Sequence, residues 1–274
     1  MATLAEYRDT RDLTINLVLR ELRGRYKRSV LGWTWSLLNP LATVLIYWIV
    51  FSVFLKVVPP LGDPSGLRSF VLFLLCGLVP YRFLSESMTV ATDSLVGNGN
   101  LIKKVYFPRE LVVIAAVGGL LVTFAIELGV LLVLFVVFGN MVLPWIPVVL
   151  GLVVLETCFV LGVSFILAPL NVYVRDVKHF VSIALQALFY SAPIVYPIRL
   201  VPETADVAGV EIPVRAIYEL NPLVPMINCF RAVLYDLRFP PLGDLVYFSV
   251  WAIALLFIGH WFFGRLDRRL AEEV

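Results

Sequence analysis

Hydrophobic positions along this chain are massed rather than evenly spaced. Six stretches are predominantly apolar: Leu37–Val57, Ser69–Ala91, Leu111–Phe138, Trp145–Leu170, Lys178–Tyr196 and Leu245–Phe263. Each approaches the roughly 20 helical residues that cross a ~30 Å hydrocarbon core. Their many Val, Ile and Leu residues do not argue for strands. A segment in lipid must satisfy its own backbone hydrogen bonds, and a helix does so. The pattern predicts an all-α integral membrane protein with six transmembrane helices, spanning residues 37–264.

Two segments depart from that pattern. In 12–31, Ile15, Val18, Leu19, Leu22, Tyr26 and Val30 fall on one helical stripe, with Arg20, Arg23, Lys27 and Arg28 mostly off it. This reads as a basic amphipathic helix along the inner membrane surface, within a cytoplasmic segment 1–36. Anchoring to anionic lipid and docking of a cytoplasmic partner both suit it. Residues 197–244 are long and carry six acidic residues, yet parts are apolar. Pro222–Asp236 looks helical but rises only about 22 Å. Asn221 before Pro222 is a helix-start signal, because Asn caps and Pro at the first helical position loses no needed donor. The 200–236 region is therefore expected to be a re-entrant helical hairpin on the outer face, between the fifth and sixth spans.

Composition agrees. Hydrophobic residues make up 60% and charged residues 15%, against about 45–50% apolar in ordinary soluble domains. The net charge of +2 gives no reason to expect a nucleic-acid partner. Cys76, Cys158 and Cys229 match no metal or redox spacing, and read as small buried hydrophobes. His179 and His260 are far apart in the sequence. The first 36 residues are polar and basic, so no signal peptide is expected.

Lys and Arg placement sets the orientation. With the N-terminus inside, inner segments hold 15 basic residues and outer ones six, Arg82 lying within a span. Both termini, including the tail 265–274, are then cytoplasmic. Trp33, Trp35, Trp145 and Trp261 fall near the membrane edges, where amphipathic rings sit.

Several chemistries are missing. A P-loop needs Gly-Lys, but the five lysines follow Tyr, Leu, Ile, Lys and Val. No His-Glu-x-x-His or Gly-x-Ser-x-Gly occurs, and potential metal ligands do not cluster. Neither catalytic nor metal residues are expected. Arg82, Glu86, Glu127 and Glu156 do lie within spans, where a charge costs at least ~2.5–3.5 kcal/mol and needs a partner or water. Counted from the outer ends, Arg82, Glu127 and Glu156 could share one level beside a polar cavity. Alternatively each is satisfied separately, or Arg82 pairs with Glu86 four residues on.

Residues 97–110, between the second and third spans, mix apolar Leu101, Ile102, Val105, Tyr106 and Phe107 with Lys103, Lys104 and Arg109. A solvated loop would not hold so many apolar groups. They either face a partner or pack on the protein's own inner surface. At this point the sequence resembles the permease subunits of type-2 ABC exporters that move cell-surface polysaccharides such as O-antigen, teichoic acid or capsule. Four segments carry the likeness: 25–41 (RYKRSVLGWTWSLLNPL), 101–110 (LIKKVYFPRE), 193–197 (PIVYP) and 221–225 (NPLVP) followed by Arg231.

The resemblance implies a homodimer in a bacterial plasma (inner) membrane, working with two copies of a separate P-loop ABC ATPase. That partner binds ATP and Mg, and this chain has no cofactor of its own. The segment matching 99–109 would contact the ATPase, with Arg175 and Asp176 in the 173–178 turn as a second contact and the N-terminal helix beside it. A lipid-linked glycan would pass outward from the inner leaflet. Tyr47, Trp48, Phe83, Phe189 and Tyr190 are candidates for the glycan path, since aromatic faces suit sugars; ordinary packing is the competing account. Other readings are the same scaffold with a lipid or drug substrate, a membrane scaffold that transports nothing, and a membrane enzyme. The missing motifs disfavour the last.

Overall fold

The computed structural model describes residues 4–26, 34–105, 107–207 and 210–273. Lys27, Arg28, Trp33 and Tyr106 lie outside the described residues. The elements are α1 (Leu4–Tyr26), α2 (Trp35–Tyr47, continued by a π-helical stretch Trp48–Phe54), α3 (Phe70–Gly97), α4 (Gly99–Lys104) and α5 (Glu110–Val137). Then follow α6 (Ile146–Tyr173), α7 (Val177–Tyr190), the strands β1 (Ala205–Val207) and β2 (Val210–Ile212), α8 (Val214–Glu219), α9 (Leu223–Leu234) and α10 (Leu242–Glu273).

Among the described residues, five helices are long and apolar enough to cross a membrane: Leu37–Phe54, Phe70–Gly97, Glu110–Val137, Leu143–Tyr173 and Leu242–Asp267. The fifth expected span, Lys178–Tyr196, is not one of them. Its helix, α7, has 14 residues, a rise of about 21 Å. It stops ahead of Pro193, which lacks an N–H and disfavours helical geometry in the residue before it. The expected helical hairpin over 200–236 is also different. Its first limb holds the antiparallel β1–β2 pair (Asp206 opposite Glu211) and the short α8, and only α9 is a substantial helix. Six paired residues are too few to leave a period-2 signature, which is why an all-α reading missed them.

Side-chain pairings give the helix directions. Asn171 meets Thr92 and Asp93, so α6 runs with α3. Phe159 meets Phe248, Phe165 meets Phe263 and Tyr173 meets Leu266, so α10 runs with α6. Arg109 at the head of α5 pairs with Asp267 near the end of α10, so α5 runs the other way. Phe51 beside Phe70 sets α2 antiparallel to α3. Both described termini therefore lie at one end of the bundle, here the near end, with α4 and the α6–α7 turn. The 55–69, 138–145 and 235–241 connections form the far end.

The central helix is α3, with every residue from Phe70 to Leu84 except Arg82 buried. Ser69 caps it by accepting from the Leu72 N–H. α9 runs antiparallel to its first turns: Ile227 and Arg231 lie beside Gly77, and Tyr235 beside Ser69 and Phe73. α1 begins at Leu4, ahead of the expected residue 12, and is described to Tyr26; residues 27–31 of the expected helix lie outside the described residues. It docks on the first turns of α5, with Leu17 against Leu111 and Ala115 and Val18 against Gly118. Leu17 and Leu22 are buried, whereas Ile15 and Leu19 of the expected stripe are exposed. The stripe is rotated because α5, and not lipid alone, receives the helix.

The tightest helix contact joins α6 to α10. A Cβ on Gly259 would lie 2.0 Å from the Gly162 carbonyl oxygen, and one on Gly162 would lie 2.4 Å from the Leu255 carbonyl carbon. Such backbone approach is how apolar helices gain van der Waals contact where lipid offers no hydrophobic drive. Gly259→Ala should cost about 1–3 kcal/mol and lower the Tm in detergent by about 5 °C. Gly151→Ala and Gly264→Ala, whose added carbons meet nothing within 4 Å, should leave it unchanged. Thermal unfolding of the three purified variants checks this.

Candidate functional site

The second half of α3 carries Arg82, Ser85, Glu86, Thr89 and Asp93, at spacings that place them along one side of the helix. Arg82 Nη2 lies 3.2 Å from Glu86 Oε1 and 3.3 Å from Glu127 Oε1. One guanidinium nitrogen thus bridges a half-exposed carboxylate on its own helix and a buried one on α5. Glu156 does not join them. It is fully buried on α6, and neither carboxyl oxygen has a hydrogen-bond partner among the described residues. Of the three charges that could have shared a level, two meet and one stands apart.

Beside this stripe runs a groove. One part, about 430 Å³, is an open recess between α3 and α7, lined by Tyr81, Ser85, Glu86, Thr89, Gln186 and Tyr190 among others. A second part, about 610 Å³, lies between α1, α3 and α5, with Arg20, Glu21, Asp93 and Asn98. Thr89 and Val90 border both, so the two are neighbours along α3. Phe189 and Tyr190 line the groove, their rings 5.2 Å apart and edge to face. The other aromatic candidates lie elsewhere. Phe83 is buried and stacked on Phe124 at 4.7 Å, so it belongs to the core. Tyr47 packs near Phe51 on α2, and Trp48 is exposed on that helix beside an apolar recess.

The end of α7 borders the groove beside Tyr81, and carbonyls near and beyond it are met by side chains. The Tyr81 hydroxyl donates to the Leu185 carbonyl and the Tyr196 hydroxyl to that of Tyr190. Asn221 Nδ2 donates to the Ser191 carbonyl at 3.0 Å. Arg231 Nη2 donates to Ile194 at 2.7 Å while its guanidinium sits 3.7 Å over the Phe73 ring. Arg231 is 7% exposed and is the tie between α3, the turn after α7, and α9.

At the near end, Ile102 is buried, and Leu101 and Phe107 pack on the cluster of Leu17, Leu111 and Ala115. These apolar residues of 97–110 therefore pack on the protein's own surface. Lys103, Lys104 and Val105 remain exposed. Arg109 is held by Asp267, with Nη1 3.0 Å from Oδ1. Arg175 and Asp176 are exposed in the α6–α7 turn. On α1, Arg20 donates to the Asn98 side chain and Arg23 is exposed. Trp261 near the same end carries Arg265 4.1 Å over its ring.

The sequence pattern described as an ABC-2 type transporter matches residues 13–235. The chain belongs to that family. It is similar to an O-antigen export system permease protein of Myxococcus xanthus, 29% identical over 96% of both chains. A protein of the same description from Klebsiella pneumoniae is 30% identical over 95% of this chain and 94% of its own length. A polysialic acid transport protein of Escherichia coli is 22% identical over 89% of each chain.

Within this ABC-2 chain, sequence reasoning had the charges but not their wall. Tyr81, Ser85, Thr89, Ser182 and Gln186 join Glu86 in the groove. Their spacing along α3 and α7 was visible; the pairing of those two helices was not. Arg231 falls on the helix expected over 222–236, and its burial as a tie between elements was not visible in the sequence.

Two outcomes are expected. Arg82→Met leaves Glu127 buried without a counter-charge and should destabilise the ABC-2 chain by about 3 kcal/mol. Combining it with Glu127→Leu should recover most of that loss, as read by thermal unfolding in nanodiscs. Arg231→Met should raise amide hydrogen exchange in 191–197, and leave exchange across the Gly162–Gly259 contact unchanged.

Proposed function

We propose that this chain is one half of a homodimeric permease that exports a lipid-linked polysaccharide from the cytoplasmic to the outer side of a bacterial plasma membrane. Two copies of a P-loop ABC ATPase supply the energy. The observation that carries the reading is the groove: a polar and aromatic surface that begins at the near end and runs along an otherwise apolar bundle. The family membership and the near-full-length likeness to named O-antigen export permeases support it. The near end then faces the cytoplasm, in accord with the 15 basic residues of its expected inner segments.

On this reading the chain crosses the membrane six times, and the fifth crossing is broken. α7 rises from the cytoplasmic side and stops within the bilayer, and α9 completes the passage. A break of this kind is tolerated only where protein satisfies the freed backbone, as the bonds from Tyr196, Asn221 and Arg231 do. The exposed Lys103, Lys104, Arg175 and Asp176 meet the ATPase, and Arg109 ties that surface to α10. α1, lying across α5 at the groove mouth, carries motion from the ATPase to the groove.

Mild-detergent isolation of the tagged chain from its native membrane, followed by native mass spectrometry, tests this. A two-plus-two complex with a P-loop ATPase is expected. Lys103→Glu combined with Arg175→Glu should lower ATPase recovery by at least about fivefold while the permease dimer persists. Recovery of the chain without any ATPase, under conditions that keep a control transporter whole, would point to a scaffold.

A further inference from the structure

The head of α7 is held by a residue of the preceding helix. In its first turn the Val177 and His179 N–H groups donate to the Val174 and Asp176 carbonyls. Lys178 sits between them, at a position whose N–H a helix start leaves unpaired. Asp176 stands where a side chain ordinarily caps a helix, and it makes no such bond. The Lys178 N–H donates instead to Asn171 Oδ1 on α6, at 3.3 Å. Asn171 Nδ2 in turn donates to the Thr92 carbonyl and to Asp93 Oδ1 on α3, each at 3.1 Å. Asn171 is 1% exposed. One buried amide therefore joins α6, α7 and α3, and it uses two donors and an acceptor to do so. On one side of it the 173–178 turn exposes Arg175 and Asp176. On the other, Asp93 lines the recess between α1, α3 and α5, and Thr89, one turn earlier, borders both recesses.

We infer that Asn171 is the positioning residue that passes movement of the 173–178 turn to α3, and so to the recesses that α3 floors. The inference rests on the export function proposed above, in which that turn meets the ATPase, and names a residue of the path between them. Buried beneath the turn, Asn171 acts through Lys178 and Asp93 rather than on ATPase or cargo. The side chain suits the task because no other residue of its size offers two N–H donors and a carbonyl acceptor on one planar group. Asp lacks the donors, and Leu lacks every polar atom. α7 is also bonded to α3 by Tyr81 at Leu185. The two helices that wall the first recess are thus linked at two places, and Asn171 is the link beside the turn.

The test is amide hydrogen exchange of the permease with its ATPase in nanodiscs, with and without Mg-ATP and vanadate. In the unaltered complex the nucleotide should change exchange in both 173–178 and 92–98. Asn171→Leu removes all three bonds at similar volume. It should keep the response at 173–178 and shrink that at 92–98 by about fivefold or more. A merely structural loss would raise exchange with and without nucleotide alike, and leave their difference. Asn171→Asp keeps the acceptor for Lys178 and loses the donors, so it too should shrink the response at 92–98. Adding Asp93→Asn returns a donor across that pair and should restore most of it. Should Asn171→Leu fail to fold, this exchange of the two side chains decides. A full response at 92–98 in Asn171→Leu, no recovery on adding Asp93→Asn, or an unaltered complex that responds at 173–178 alone, would overturn the inference and leave the export function standing. An unaltered complex silent at 173–178 would remove the proposed ATPase contact there, and the inference with it.

Discussion

A helix that stops early leaves its last carbonyls without donors, and the architecture is organised around one such stop. α7 ends beside Tyr81, eleven residues or about 16 Å into α3. The carbonyls just beyond its end are met by Asn221 and Arg231, at the start and along the length of α9, while Tyr81 on α3 donates to the Leu185 carbonyl within the helix. The Arg231 guanidinium reaches its place because residue 77 is glycine. A Cβ there would lie 3.2 Å from Ile227 and 3.4 Å from Arg231. The far end of α9 is fixed in turn. Asn140 donates to the Leu234 carbonyl, Ser65 to that of Tyr235, and the Tyr235 hydroxyl to that of Pro60. A broken passage through apolar surroundings thus obliges polar side chains from α3, α9 and two loops to converge.

α3 serves two environments along one length. From Phe70 to Leu84 it is core; beyond that its outer side becomes the floor of the groove. Arg82 sits at the boundary and its charge is divided accordingly, one carboxylate partner in the core and one facing the groove. Burial of Glu127 therefore depends on the same residue that neutralises part of the groove. The α6–α10 pair, closed around Gly162 and Gly259, lends this helix a stiff neighbour. α2 by contrast exposes Leu41, Leu45, Ile46 and Trp48, and packs loosely. An ABC-2 chain built this way is closely packed on one flank and sparsely packed on the other.

Local signals were legible in the sequence, and non-local ones were not. Long apolar runs gave five spans almost to their ends, and Asn221-Pro222 marked the start of α9. Pro193 stood in plain view as the reason α7 ends, yet hydropathy alone carried that span on to Tyr196. Arg82 and Glu127 could be placed at one depth by counting, whereas the isolation of Glu156 depends on which helix faces which. Phe83 and Phe189 look alike in sequence; one stacks on Phe124 and the other borders the groove. Ile102 and Phe107 were apolar residues in a loop, and their burial waited on knowing that α1 folds across α5.

The convergence of donors on α7 also limits how that helix can travel. Asn221 and Arg231 hold the carbonyls of Ser191 and Ile194, just beyond the helix, while Tyr81 grips Leu185 within it, so α7 is clasped at its outer end from two separate elements and an axial displacement would have to break all three bonds together.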